Sequence, residues 1–148
     1  MSQTALKMIT GATLIAPWGQ PMRETALLME GPRIHSLHEQ APGSLLLNQE
    51  DVELISGENC YLTPGLIELH LNGAFGTNLN HTGIAEAQQM LARLPRHGIT
   101  SVLFSVITAP VLEMIKATST LEEVVHYRHP HHTQPLGLHL EGPFLNPA

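Results

Sequence analysis

Three short apolar segments alternate with two segments of helical periodicity in the second half of this chain, and this order restricts the fold most. The apolar segments span residues 66–72, 100–107 and 136–141. Between them, apolar residues recur every three or four positions over 84–94 and 111–125, as on one face of a helix. This alternating order of strands and helices predicts parallel strands joined by crossover helices, in either a doubly wound sheet or a barrel.

The local signals favour the barrel. The segment 100–107 is almost continuously apolar, which is typical of a strand covered on both faces in a parallel sheet. Neither a Gly-rich dinucleotide or phosphate loop nor a nucleophile elbow follows the first strand. Thr82 is predicted to cap the first helix and Gly98 to end it beyond Pro95, while Pro110 opens the second helix.

Residues 1–60 show a different pattern, which predicts a small β domain before the α/β part at 61–148. Short strand-like segments are separated by Pro and Gly, and a hairpin is predicted across Gly31-Pro32. We therefore predict an α/β protein: a small N-terminal β domain followed by the first β/α units of a TIM-type (β/α)8 barrel, truncated after strand 3.

Composition excludes several classes of partner. The net charge is -6, with only 7 Lys and Arg, so the chain lacks the basic surface that nucleic acid or an anionic membrane would attract. No apolar run approaches the roughly 20 residues of a membrane-spanning helix. Cys60 is the single cysteine, which precludes an intrachain disulfide and fits a reducing compartment. We predict a cytoplasmic protein.

Polar side chains at the ends of the first and third strands are the candidates for chemistry. Side chains two apart on a strand share a face, so Glu68, His70 and Asn72 are predicted to point one way, as are His139 and Glu141. Parallel folds place their sites at the carboxyl ends of strands, where His and carboxylate ligands hold catalytic metals. His70 and Glu141 are the natural metal ligands. A second group of histidines lies in a polar stretch that we interpret as a solvated loop: His126, His129, His131 and His132.

Three motifs resemble one family. They are Tyr-Leu-Thr-Pro-Gly-Leu-Ile-Glu-Leu-His-Leu-Asn-Gly at 61–73, His-Gly-Ile-Thr-Ser with Ile-Thr-Ala-Pro at 97–110, and Gly-Leu-His-Leu-Glu-Gly-Pro-Phe-Leu-Asn-Pro at 137–147. Together they resemble the N-terminal part of N-acetylglucosamine-6-phosphate deacetylases, members of the amidohydrolase superfamily. The resemblance covers essentially the whole chain, and its most specific element is His-Leu-Glu-Gly-Pro-Phe.

The resemblance implies an activity and a set of roles. It implies deacetylation of N-acetylglucosamine 6-phosphate to glucosamine 6-phosphate and acetate, with one divalent metal, most often Zn²⁺, and a second metal left open. Glu141 is the implied ligand and His70 a candidate second ligand. His139 and Asn72 are expected behind the ligands or in the wall of the site. No substrate-binding residue is assigned.

The family's later motifs are absent from these 148 residues. The implied acid/base aspartate is expected beyond Ala148, because Asp51, the one aspartate here, precedes the barrel. The isolated chain is therefore predicted to be inactive, with an exposed sheet edge. A homodimer is expected for the full-length protein. Two alternatives stay open: an amidohydrolase acting on N-acyl amino acids or cyclic amides, and a non-catalytic half-barrel remnant.

Overall fold

A computed structural model describes residues 6–15, 19–39 and 52–146 of the chain. Asp51 and residues 40–50 before it lie outside the described residues. The chain divides into two compact units, residues 1–64 and 65–148. The sequence pattern put this boundary after residue 60. The difference arises because Tyr61–Leu62 forms a strand that pairs with the first strand of the chain, so these residues complete the first unit.

The first unit is a mixed β-sheet. Its strands are β1 (Leu6–Leu14), β2 (Met22–Glu30), β3 (Arg33–His38), β4 (Val52–Ser56) and β5 (Tyr61–Leu62). They lie in the order β3-β2-β1-β4, and β5 also pairs with β1. The β2–β1 and β2–β3 pairs are antiparallel, whereas β4 and β5 run parallel to β1. The hairpin predicted across Gly31-Pro32 is present, with Glu30 opposite Arg33.

The second unit contains a three-stranded parallel sheet. Its strands are β6 (Leu66–Leu71), β9 (Ile99–Val106) and β10 (Gln134–Leu140), in the order β10-β9-β6. Helix α1 (Ile84–Arg93) connects β6 to β9, and α2 (Val111–Val125) connects β9 to β10. The predicted strand–helix alternation is therefore present. A two-stranded hairpin, β7 (Gly73–Ala74) and β8 (Thr77–Asn78), lies in the segment predicted as a polar loop.

Both helices cover the same face of the central strand. Val102, Phe104 and Val106 alternate along β9, have no exposed surface, and form one core with residues of both helices. The helix residues of this core are Ala87, Met90, Leu91, Met114, Ala117, Leu121 and Val124. Burial of these apolar side chains is the main favourable term that holds the helices on the sheet. The opposite face of β9 carries Ser101, Leu103 and Ser105.

The ends of α1 differ from the prediction in detail. The first residue before the helix is Gly83, not Thr82, and the Glu86 carboxylate accepts a hydrogen bond from the Gly83 N–H at 2.6 Å. Glu86 thus supplies one half of a capping box, in which its side chain binds the N–H of the N-cap residue, while Gly83 has no hydroxyl to accept from the first turn of the helix. At the other end a 3-10 turn, Leu94–His97, follows the helix, because Pro95 cannot continue the α-helical hydrogen bonds. Gly98 ends it in the left-handed conformation, at φ 77, as predicted.

The outer strands of the parallel sheet expose apolar side chains. Leu69 of β6 is 64% exposed and Leu140 of β10 is 53% exposed, and the chain after β10 exposes Phe144 almost completely. In the described part of the second unit, β6 and β10 each pair with β9. Among the described residues, no helix combines the length and the apolar character needed to cross a membrane.

Candidate metal centre

His70 and Glu141 meet at the carboxyl ends of the two outer strands. The distance between His70 Nε2 and Glu141 Oε2 is 3.2 Å, although 71 positions separate the two residues in the sequence. Both side chains are partly exposed, at 52% and 40%. Because a carboxylate can only accept, the imidazole N–H donates this hydrogen bond. The structure thus brings together the two residues predicted as metal ligands.

The strand order explains how the contact forms. Since β9 lies between β6 and β10, the two side chains reach across the end of the central strand. Neighbouring strands are roughly 4.8 Å apart, so the backbones of the outer strands are about 10 Å apart, a span that only long side chains can close. The main chain of Glu141 is held to β9, because its N–H donates to the Val106 carbonyl at 2.9 Å.

His139 lies behind the His70–Glu141 pair. Its ring packs edge-on against the His70 ring, with 5.1 Å between the centroids. Its Nδ1 forms a 3.0 Å hydrogen bond with the hydroxyl of Ser105, a residue of β9 with no exposed surface. Ser105 is opposite His139 in the strand pairing, on the face that the helices leave uncovered. These contacts fix the His139 ring and, through it, support the orientation of His70.

The spacing of the two predicted ligands suits a tetrahedral metal. Two ligand atoms that each lie about 2.0–2.1 Å from Zn²⁺ are roughly 3.3 Å apart, and Nε2 and Oε2 are at 3.2 Å. One imidazole nitrogen and one carboxylate oxygen are also the donors that catalytic zinc takes. Over residues 6–15, 19–39 and 52–146, however, no three His, Cys, Asp or Glu side chains are arranged to hold a metal. At this point the described residues offer two donor groups, the His70 imidazole and the Glu141 carboxylate.

Asn72 and Glu68 lie outside this contact. Asn72 lines a shallow groove of about 330 Å³ together with the β7–β8 hairpin and Ile107. The sequence predicts that Glu68, His70 and Asn72 share one face of the strand, which requires strict alternation of side chains. The pairing with β9 steps from Glu68–Val102 to Leu71–Phe104, three residues against two, so alternation is interrupted. Glu68 instead accepts a hydrogen bond from the His70 N–H at 2.9 Å.

The histidine-rich segment after α2 forms a packed loop of its own. The His129 and His132 rings are 3.8 Å apart between centroids, and Tyr127 shares a 3.1 Å hydrogen bond with His132 Nδ1. Burial, and after it the charges of His129 and His131, lower the pKa of His132 from its ordinary value. His129 and His131 are exposed, which agrees with the interpretation of this segment as a solvated loop.

Three polar residues near the site were not singled out from the sequence. Ser105 interrupts an apolar strand, and this pattern could have indicated a polar contact. Asn80 and Thr108 gave no comparable signal, because their partners are far away in the sequence. The Asn80 side chain hydrogen-bonds both backbone groups of Ile107, and the Thr108 hydroxyl donates to the Glu141 carbonyl.

The chain is similar in sequence to curated enzymes. It is 33% identical over 126 residues to the N-acetylglucosamine-6-phosphate deacetylase of Haemophilus influenzae, an alignment that covers 84% of this chain and 31% of that protein. The chain thus spans about a third of the length of this relative. No protein-family model matches the chain.

Solved structures give the same result. The crystal structure of N-acetylglucosamine-6-phosphate deacetylase from Pasteurella multocida matches with a TM-score of 0.76 and 27% identity, over 96% of this chain and 35% of that one. The deacetylase structure from Mycobacterium smegmatis matches in fold with a TM-score of 0.74 at 23% identity, over 95% and 36% of the two chains. In sequence and in fold, the chain is therefore similar, over most of its length, to about a third of an N-acetylglucosamine-6-phosphate deacetylase, as its motifs predicted.

Proposed function

We propose that this chain is part of a metal-dependent amidohydrolase that converts N-acetylglucosamine 6-phosphate and water to glucosamine 6-phosphate and acetate. One observation carries the proposal. In a chain similar to these deacetylases, His70 and Glu141 come within 3.2 Å of each other at the carboxyl ends of parallel strands. That end of the strands is where barrel enzymes place their catalytic groups.

The arrangement of the second unit supports a barrel. Both crossover helices pack on one face of β9, as they do in a barrel wall, whereas a doubly wound sheet has helices on both faces. The exposed apolar residues of β6 and β10 are suited to contact further strands and helices. We propose that β6, β9 and β10 are three neighbouring strands of a TIM-type barrel, with the remaining strands outside the described residues.

Glu141 and His70 would hold the metal, most suitably Zn²⁺ given one carboxylate and one imidazole. A bound metal of this kind would supply Lewis acidity, which polarises the acetamide carbonyl and lowers the pKa of water. As a ligand through Nε2, a neutral His70 would carry its proton on Nδ1, and Glu141 would bind as the carboxylate. His139, held by Ser105, keeps the His70 ring oriented during binding.

The remaining parts of the reaction need residues beyond those described. A proton must reach the leaving amine, and no aspartate is available in the second unit to carry it. We therefore propose that the acid/base aspartate, the other metal ligands and the phosphate-binding residues belong to a longer protein. On this basis residues 1–148 alone are inactive. A cytoplasmic location and a homodimer of the complete protein stay predictions.

A chimera tests the proposal. Residues 1–148 would replace the matching third of the Haemophilus influenzae deacetylase, and acetate release from N-acetylglucosamine 6-phosphate would be measured with added Zn²⁺. We expect turnover by the chimera and none by the 148-residue chain. Glu141→Gln should reduce turnover by more than the roughly 10–100-fold that loss of a ligand's hydrogen-bonding partner costs, since it removes the charged ligand itself.

Glu123→Gln serves as the matched control, because Glu123 is an exposed glutamate on α2. This variant should keep the activity of the parent chimera. Full activity in Glu141→Gln would refute the ligand role of Glu141. Turnover by the isolated 148-residue chain that disappears in Glu141→Gln would refute its inactivity.

A further inference from the structure

Glu141 is held on both sides of its main chain by the residues that end β9. Its N–H donates to the Val106 carbonyl at 2.9 Å, and its carbonyl accepts a 2.7 Å hydrogen bond from the Thr108 hydroxyl. We propose that Thr108 is a positioning residue: its hydroxyl fixes the main chain of Glu141 so that the carboxylate faces His70. The importance of this position for catalysis rests on the proposed function, in which Glu141 is a metal ligand.

The residue after Glu141 is adapted to the same contact. Gly142 has φ 94, a conformation that side chains other than glycine rarely adopt. A Cβ at this position would also collide with the Thr108 hydroxyl, which lies against Gly142. Glycine therefore lets the Thr108 side chain approach the backbone closely enough to bind the Glu141 carbonyl. Gly142 therefore permits this contact with Thr108 as well as the turn at the end of the strand.

The residue before Thr108 is held by Asn80, which lies between β8 and α1. The neighbouring residue, Ile107, donates its N–H to Asn80 Oδ1 at 3.0 Å and accepts from Asn80 Nδ2 at 2.9 Å. Asn80 is only 8% exposed, so its amide is committed to this pair of hydrogen bonds. Asn80 thus gives Ile107, the residue after β9, the two hydrogen bonds that a neighbouring strand would otherwise provide. Hydrogen bonds therefore link the segment between β8 and α1, the residues after β9 and the main chain of Glu141.

A polar side chain that acts only through another residue can still have a large effect. Hydrogen-bonding partners of metal ligands typically contribute 10–100-fold to metal affinity or activity, because they set the direction of the ligand atoms. Thr108 is exposed, so replacing its hydroxyl with a methyl group leaves no buried cavity. Thr108→Val therefore removes the hydrogen bond from a protein that still folds.

Nuclear magnetic resonance of the metal-free 148-residue chain tests the proposal. The readouts are the nuclear Overhauser contact between the Glu141 side chain and the His70 ring, and the hydrogen-exchange rate of the Glu141 amide. In Thr108→Val we expect loss of that contact and exchange on the order of tenfold faster, as one hydrogen bond is lost. Thr108→Ser keeps the hydroxyl and should restore both signals.

Thr100→Val is the matched control. Like Thr108, Thr100 is exposed, and its hydroxyl donates to a carbonyl of the same sheet, that of Leu66, but at the opposite end of the strands. This variant should leave the Glu141 signals unchanged. An unchanged contact in Thr108→Val, or an equal loss in Thr100→Val, would overturn the proposal. A chimera without deacetylase activity would refute the proposed function without affecting this result.

Discussion

Replacement of Asn80 by alanine should destabilise the second unit more than the small number of atoms removed suggests. The substitution removes two hydrogen bonds at once and leaves the N–H and the carbonyl of Ile107 without their partner. An unsatisfied buried backbone group costs about 1–3 kcal/mol. Ile107 is only half-buried, so water recovers part of this loss. We expect the free energy of unfolding to fall by about 2–3 kcal/mol.

Native-state hydrogen exchange would measure this change, since the amides of the buried residues Val102 and Phe104 report the opening of the whole sheet. Asn78→Ala is the control: it lies two residues away, is exposed, and loses a single local hydrogen bond to the Asn80 N–H. We expect a cost of about 0.5–1 kcal/mol there. If Asn80→Ala costs no more than Asn78→Ala, Asn80 does not hold the end of β9 as described.

Two further predictions concern histidines. Ser105→Ala should release the His139 ring, weaken its nuclear Overhauser contact with His70 and lower the free energy of unfolding by about 1 kcal/mol. Ser101→Ala on the same strand is the control and should have none of these effects. A His139–His70 contact that is unchanged in Ser105→Ala would contradict the positioning by Ser105. The pKa of His132 is lowered in the fold, so the unfolded chain binds the proton first, and the free energy of unfolding should decrease as pH falls through the ordinary histidine pKa of about 6.5. Urea titrations should show a smaller decrease for His132→Gln than for the exposed control His126→Gln, and equal slopes would exclude His132 as a cause.

The elements of the second unit could be predicted from the sequence because each has a strong local pattern. The β9 strand was expected at 100–107 and spans Ile99–Val106, since its apolar run is bounded by Gly98 and by Thr108-Ala109-Pro110. The helices follow apolar periodicity and end near proline and glycine. The β7–β8 hairpin was missed, because strands of two residues are too short to show alternation.

The site was only partly predictable, for a physical reason. His70, His139 and Glu141 could be chosen by residue type and strand position, and the structure brings all three together. Their roles toward a metal stay predictions. The supports from Asn80 and Thr108 are hydrogen bonds to backbone groups 27 and 33 positions away. Almost any residue can supply a backbone N–H or carbonyl. The sequence therefore contains no motif that marks the partner of such a hydrogen bond.

The register of β10 has a consequence for how this chain tolerates changes in length. Pairing with β9 steps from Pro135–Val102 to Gly137–Leu103, so Leu136 is one residue more than the central strand requires. Because side chains alternate, this extra residue turns His139 away from the face that holds Pro135 and toward Ser105. Removing Leu136 would make the pairing regular and leave His139 opposite Ser105, whereas removing Leu138, which follows the bulge, would turn His139 and Glu141 together into the helix-covered layer. A single-residue deletion should therefore be tolerated at Leu136 and harmful two residues later.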